Sequence, residues 1–541
     1  MRAFPPADPF EHQWTIAAAR LLLPRDISLQ APPNLAAGSG AELLEAGIND
    51  WGGVSPVTID HVNPEAPWPS LDRLSDITAS GGKTLAPRLT IYPKYLKQAE
   101  TWLDPEMRTT VLRASDAEGL AFEGRWTPGA LETPPAIRST GSVDPAIGQV
   151  LDLPPGTELD ERQIVALYSA RGKSFHAVCA HADRLRQSVN RDRIHYVVTR
   201  NINYTNVSTY GCTFCAFSKG KTHESLRGPA YDLDMDEFAR RVSEAWDRGG
   251  TEICLQGGIH PGYTGETYLN LLRVARQAAP GIHIHAFSPL EIWQGARSIG
   301  LSLTEFLSQL KEAGLSSLPG TAAEILDDEI RAVIAPDKIM TDQWFDVMEA
   351  AHGLGLKSTS TIMYGHVEAP LNWARHLIRL RRHQLKFTCF TEFVPLPFVA
   401  LEAPMYLRGQ SRRGPTWREA VLMHAVARIV FHGVIDHIQT SWVKMGPKGA
   451  AVCLNSGADD LGGTLMNESI TRAAGAVHGQ EFAPWQMEDL IRAIGRDPVQ
   501  RSTVFGPVPL ERRQRAMQAA PLDAMVNTPF SRKRLQQSQQ A

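Results

Sequence analysis

From about residue 156 onward the chain repeats one pattern: a short apolar run, a polar or glycine-rich patch, then an amphipathic helix. TEICLQ runs into Gly257-Gly258 and the helical TYLNLLRVARQAA, and HIHAFS is followed by LTEFLSQLKEAG. SSLPG, STSTIMYG and FTCFTEFVPL precede DQWFDVMEAAHGLG, NWARHLIRLRRHQ and REAVLMHAVARIVFH respectively, or follow one such helix and lead to the next. VIDHIQTSW and a last apolar stretch, AAVCLNSGADDLGG, complete the series. Strands that alternate with helices must run parallel, because each crossover returns the chain to the same edge, and about eight such units close into a barrel. The fold class expected is therefore α/β, a TIM-like (β/α) barrel. Its polar and glycine residues fall just after the strands, where a barrel builds its active site. A helix is predicted to start near Asp234, with Met235, Phe238, Val242 and Ala245 on its buried face and Glu237 placed for a capping box.

The front of the chain reads differently. A helix is predicted over Trp14 to Leu23 and a short strand over Asp26 to Leu29, then loops dense in Gly, Pro and Trp. Residues 126–155 lack periodicity and read as a linker, 156–530 as the barrel module, and SRKRLQQSQQA, 531–541, as a disordered polar tail. The net charge of −3 gives no field that would draw nucleic acid or an anionic membrane, so neither is an expected partner. No run of 18 apolar residues occurs and no apolar leader opens the chain, so a cytoplasmic setting is expected. Six cysteines in 541 residues make no disulfide scaffold.

Only Cys212 and Cys215 lie close together, in NINYTNVSTYGCTFCAF, the loop after the first barrel strand. A Cys-x-x-Cys pair alone serves a redox couple, half a zinc site or part of an iron–sulfur site. A zinc site needs two more ligands, and His176, Cys179 and His181 sit on a predicted helix whose pitch turns His181 away from His176.

The surroundings of the pair resemble the radical-SAM superfamily, in which Cys-x-x-x-Cys-x-x-Cys follows the first barrel strand. That resemblance implies a 4Fe-4S cluster held by three thiolates, with its fourth iron open to S-adenosyl-L-methionine. Cys212 and Cys215 match the second and third metal ligands and Phe214 the aromatic beside them, but Ser208 stands where the first cysteine belongs. The likeness is closer still. NINYTNV, LQGGIHPGYTGETYL, HIHAFSPLEI, GTAAEILDDEIR, STIMYGHVE, FTEFVPLPF and LNSGADDLGGTLMNE, in this order, resemble the tyrosine-using module of FO synthases, two-module enzymes of deazaflavin biosynthesis. ISLQAPPNL, DWGGVSPVT and HVNPEAPWP, within 1–125, are similar to the closing part of their first, cyclising module. The chain is thus expected to hold a complete second module preceded by the C-terminal remnant of a similar barrel.

The resemblance implies a transferase. A deoxyadenosyl radical takes hydrogen from L-tyrosine, the Cα–Cβ bond breaks, and the hydroxybenzyl fragment adds to 5-amino-6-(D-ribitylamino)uracil. An electron donor is required as a further partner. Gly257 and Gly258 are then expected to receive the amino group of S-adenosyl-L-methionine; the alternative is a turn needing positive φ. Ser288 and Glu291 either hold cofactor hydroxyls or form an outward helix cap. His260 touches a ligand or shapes its loop, and Asn203, Thr205 and Asn206 fix the Cys-x-x-Cys loop or meet the pyrimidine. Tyr364, His366, Glu392, Asn455, Asp459 and Asp460 are the substrate candidates, with turn formation as the rival reading for 455–460. Ser208 is a hard oxygen donor where iron–sulfur sites favour thiolate, so weak cluster binding is expected. Two other readings stand: a menaquinone-pathway radical-SAM enzyme, and a non-catalytic barrel that acts as a scaffold.

Overall fold

Among the described residues, nine strands, all paired in parallel, organise the fold: β1 Arg193–Val197, β2 Thr199–Asn203, β3 Glu252–Gln256, β4 His283–Ala286, β5 Ser317–Leu318, β6 Lys357–Tyr364, β7 Phe390–Pro397, β8 Asp460–Gly463 and β9 Asp497–Arg501. The structure is a computed structural model and describes residues 8–36, 38–218 and 229–528. β2 through β7 form one six-stranded sheet in sequence order, and β8-β1-β9 form a second. Single parallel bridges, Phe393 to Ile438 and Gln439 to Asp460, carry the order from β7 to β8. β1 and β2 are one run of chain separated by Val198, so β8 beside β1 returns the order to its start. Backbone bonds from Thr464 to Val197 and from Asn201 to Leu465 complete that seam. The result is a closed barrel of eight strand positions, with β9 added along the whole of β1.

Residue alternation sets which side chains face the lumen. Ile202, Ile253 and Leu255 join the apolar layer under the helices. Their neighbours Asn201, Asn203, Cys254 and Gln256 therefore point inward. The helix Trp417–Phe431 is buried at every one of its 15 positions. A helix apolar all round needs cover on both sides, and Glu161–Tyr168 and Gly172–Asn190 supply the outer layer. The helix near Asp234 is Met235–Asp247, capped by Asp234 on the Glu237 amide. Glu237 does not close a box; its carboxylate is taken by Arg240 and Arg241.

The N-terminal expectations shift. The first helix is Pro9–Leu22, and no strand forms at 26–29; one bridge joins Gln30 to Asp50. A small core of Ala31, Leu43, Ile48, Trp51 and Leu74 holds the loops together. Within 126–155, Trp126 is buried edge-on to Trp417, with ring centroids 5.0 Å apart, and Ile147 and Val150 join the same apolar core. Asp116 and Glu118 tie the front of the chain to Arg171 and Arg418. The 531–541 tail lies outside the described residues. Among those described, no helix is long and apolar enough to cross a membrane.

Candidate active site

The Cys-x-x-Cys loop leaves the C-terminal end of β2 and is laced to the exit of β3. Gly258 N donates to Thr205 O at 3.0 Å and Thr209 N to Ile259 O at 2.9 Å. Thr205 and Asn206 anchor its base: Thr205 Oγ1 donates to Tyr231 O, and Asn206 Oδ1 accepts from Tyr231 N, both at 2.8 Å. Asn203 accepts from Ser469 and donates to Gln256 O. These three residues fix the loop. Asn203 and Asn206 also line a polar cavity of about 130 Å³ beside Phe217 and Tyr231.

The two glycines are demanded by contact. Neither has positive φ, so the turn explanation fails. A Cβ on Gly257 would lie 2.3 Å from the Tyr204 ring; on Gly258 it would lie 2.2 Å from Val207 O and 3.2 Å from Ser208 Cβ. Bare backbone is therefore pressed against the segment that leads into the cysteines. Glu291 secures it. This carboxylate is 1% exposed. It accepts from Gly257 N at 3.2 Å, from the Tyr204 hydroxyl, and from Ser288 N and Oγ at 2.7 and 2.6 Å. Ser288 and Glu291 do form a helix cap, but a buried one whose spare oxygen grips the Gly-Gly segment. Burial pushes the Glu291 carboxyl up, against the pull of its hydrogen bonds. His260 Nδ1 accepts from Gly262 N at 3.1 Å and its ring lies against Tyr263.

The thiols are half-buried at the mouth. Their mutual hydrogen bond pulls Cys215 down to about 6, with Lys338 adding to the effect. Cys212 is pushed up by burial and by that same shared proton. The Lys338 ammonium lies 3.2 Å from Glu324 Oε1 and 4.9 Å from the centre of the Phe214 ring. Burial would lower its pKa, but the thiols and Glu324 outweigh burial and keep it charged. Phe214 packs onto Ile334, Phe398 and Met405. Gly211 N donates to Asp337, and Thr213 N and Oγ1 donate to Ile334 O, so residues 334–338 cup the loop. Sequence reasoning missed Lys338, Glu324 and Tyr204; a lysine in the Pro-Asp-Lys segment after the fourth strand position was the available signal.

An iron–sulfur cluster fits this donor set at two of three protein positions: two converging thiols, one acidic, beside a fixed cation. At the third, Ser208 accepts only a long bond from Tyr210 N, 3.4 Å, and offers an oxygen.

The substrate candidates do not gather here. Tyr364 is fully buried under Trp373, on the helix side of β6. His366 is locked to Glu368 at 2.7 Å, within a closed set including Trp373 and Arg412. Asp460 opens β8 and pairs in register with His195 of β1, at the barrel end opposite the loop. It and Glu392 share Arg501. Asp459 is held by Arg428 at 2.5 Å and His437 at 2.7 Å, and Asn455 accepts from Arg496. These buried acidic groups and the arginines that meet them, Arg428 and Arg501, hold the barrel floor; breaking a buried ion pair costs about 3–5 kcal/mol.

Comparison with known proteins now adds two family matches: the radical SAM superfamily over residues 202–377 and the CofH/MqnC C-terminal region over 387–513. FO synthase of Streptomyces coelicolor is 42% identical over 565 residues, 95% of this chain and 64% of its own length. FO synthase of Mycobacterium tuberculosis is 42% identical over 93% of this chain and 64% of its own. The chain thus spans 64% of the length of these curated relatives. The 5-amino-6-(D-ribitylamino)uracil–L-tyrosine 4-hydroxyphenyl transferase of Methanothermobacter thermautotrophicus is 42% identical over 64% of this chain and 94% of its own. Among solved structures, methylornithine synthase matches at a TM-score of 0.52, with 16% identity, over 65% of this chain and 97% of its own. At that identity it speaks for the fold alone.

Proposed function

The chain belongs to the radical-SAM family of 5-amino-6-(D-ribitylamino)uracil–L-tyrosine 4-hydroxyphenyl transferases and FO synthases, and from that membership we propose that it moves the 4-hydroxybenzyl group of L-tyrosine onto the aminouracil. The observation that carries the reading is the lacing of the Cys-x-x-Cys loop to Gly257-Gly258 at the mouth of the barrel.

Cys212, Cys215 and the Ser208 position would hold a 4Fe-4S cluster; with S-adenosyl-L-methionine bound, it supplies the radical chemistry of the superfamily. This chain's own groups do the rest. Glu291 and Tyr204 fix the backbone of Gly257 and Gly258, the segment that would meet the cosubstrate amino group. Lys338 keeps a positive charge beside the thiolates. The closed lumen, lined by Asn201, Asn203 and Gln256, aligns polar substrates and keeps water from reactive species. An electron donor completes the requirements. A barrel that does not turn over is the second reading, and Ser208 is the observation that favours it.

Anaerobically reconstituted protein, with Ser208→Cys alongside, should be given L-tyrosine, the aminouracil and S-adenosyl-L-methionine. The expected product is the hydroxybenzyl adduct, seen by mass spectrometry. Iron-loaded Ser208→Cys that makes neither adduct nor 5′-deoxyadenosine would overturn the proposal.

A further inference from the structure

Helix Pro105–Ala114 is distant in sequence from the Cys-x-x-Cys loop, yet a short chain of contacts joins them. Arg113 Nη2 donates to Tyr406 O, and its guanidinium sits 4.3 Å from the centre of the Tyr406 ring. Thr109 Oγ1 donates to Gly409 O at 3.2 Å. That approach is close: a Cβ on Gly409 would come within 2.4 Å of the Thr109 hydroxyl. Tyr406 belongs to the four-residue helix Pro404–Leu407, and Gly409 follows two residues after that helix ends. The second residue of the helix, Met405, donates its N–H to Thr213 O at 2.7 Å.

Thr213 is the residue after Cys212, inside the Cys-x-x-Cys motif. Its carbonyl is held by Met405, and its N–H and hydroxyl by Ile334 O. Ile334 belongs to the barrel's own β5 crossover. Met405 belongs to a segment gripped by the front of the chain. Phe214 and Tyr406 both pack against the apolar cluster that contains Met405 and Ile334. The peptide between the cysteines is therefore clamped from two sides, and one jaw reaches back to residues 105–114. A helix of four residues has no intrahelical partners for its last carbonyls and cannot hold its own position. The Tyr406 carbonyl also accepts from Gly409 N at 2.9 Å, and the guanidinium adds a charged donor to it while stacking on the ring beside it.

We propose that Arg113 is a positioning residue for the Cys-x-x-Cys loop, acting through Tyr406 and Met405, so that the front of the chain is a working part of the barrel's site. The assignment of that loop to a metal cluster rests on the proposed function; the clamp itself rests on these contacts.

The test is the rate at which a small aromatic disulfide labels Cys212 and Cys215 in the full metal-free chain, resolved by peptide mass mapping. A hydrogen bond from a charged donor is worth enough that its loss should raise that rate about tenfold in Arg113→Ala. Arg113→Lys should recover most of the protection. Arg88→Ala, which breaks an ion pair to Asp50 elsewhere in the same region, should leave the rate within about twofold. Thr109→Val is a milder variant for the case that Arg113→Ala does not fold, with an increase of about threefold expected. In the Ser208→Cys background, Arg113→Ala should also broaden the paramagnetic resonance signal of the reduced cluster. Unchanged labelling in both Arg113→Ala and Thr109→Val would overturn the clamp, as would an equal rise in Arg88→Ala. Labelling that responds while Ser208→Cys loads no iron would support the clamp and sink the cluster reading instead.

Discussion

Replacing Ser208 with cysteine is expected to turn a weak cluster site into a strong one at almost no structural cost. The Ser208 hydroxyl accepts a single 3.4 Å bond from Tyr210 N, so losing it costs under about 1 kcal/mol. The side chain sits against Gly258, where there is no Cβ to collide with a larger sulfur. The gain is much larger. Removing even an outer-shell partner of a metal ligand costs roughly 10–100-fold in affinity. Supplying a missing direct thiolate should therefore be worth at least about 100-fold, or about 2.7 kcal/mol. Anaerobic reconstitution followed by iron and sulfide analysis reads this directly. The wild-type chain should load partially and lose iron on desalting; Ser208→Cys should approach four irons per chain and hold them. Equal and stable loading in both would refute the reasoning, because it would mean that the oxygen serves as well as sulfur or that the third position is not a ligand.

Other expectations follow from the same structure. Gly258→Ala forces a Cβ against Val207 O and should cost about 1–3 kcal/mol in unfolding free energy, with binding of S-adenosyl-L-methionine lost in calorimetry. Asp459→Ala strands Arg428 in the barrel floor. It should cost about 3–5 kcal/mol in denaturant unfolding while leaving Cys212 and Cys215 labelling in the folded state unchanged. Burial pushes the Glu392 carboxyl up to about 8, against the pull of Arg501. Between the ordinary carboxylate range and about 8 the folded chain keeps a proton that the unfolded chain has released, so stability should fall as pH rises across that window. Glu392→Gln should flatten that slope in pH-dependent denaturant titrations; an unaltered slope would discount the group.

The barrel was legible because its signal is periodic. Alternating strands and helices over hundreds of residues leave few other architectures, and the residues after β2 and β3 stand at the mouth whatever the details. The site was legible only as far as local motif reached. Cys212, Cys215 and the Gly-Gly pair announce themselves by spacing. Lys338 and Glu324 do not, because they reach the loop through tertiary contacts from a later crossover, and Tyr204, though beside the loop in sequence, shows its role only through its bond to Glu291. The acidic run at 459–460 misled for a related reason. Asn, Asp and Gly suit ligand loops and turns alike, and nothing local says that Arg428, on a helix, and Arg501, on an added ninth strand, will claim both carboxylates. The segment 437–440, within the apolar run VIDHIQTSW, contributes only two bridges, so its place in the ring is set by its neighbours. The missing strand at 26–29 is the converse, an apolar run with no neighbouring strand to pair with.

The account stands or falls on one iron being open beside Gly257 and Gly258. Paramagnetic resonance of the reduced cluster in Ser208→Cys, recorded before and after adding S-adenosyl-L-methionine, measures this directly. The g-values should shift on addition, and in Gly258→Ala they should stay where they were. A spectrum indifferent to the sulfonium compound in Ser208→Cys itself would contradict the central claim.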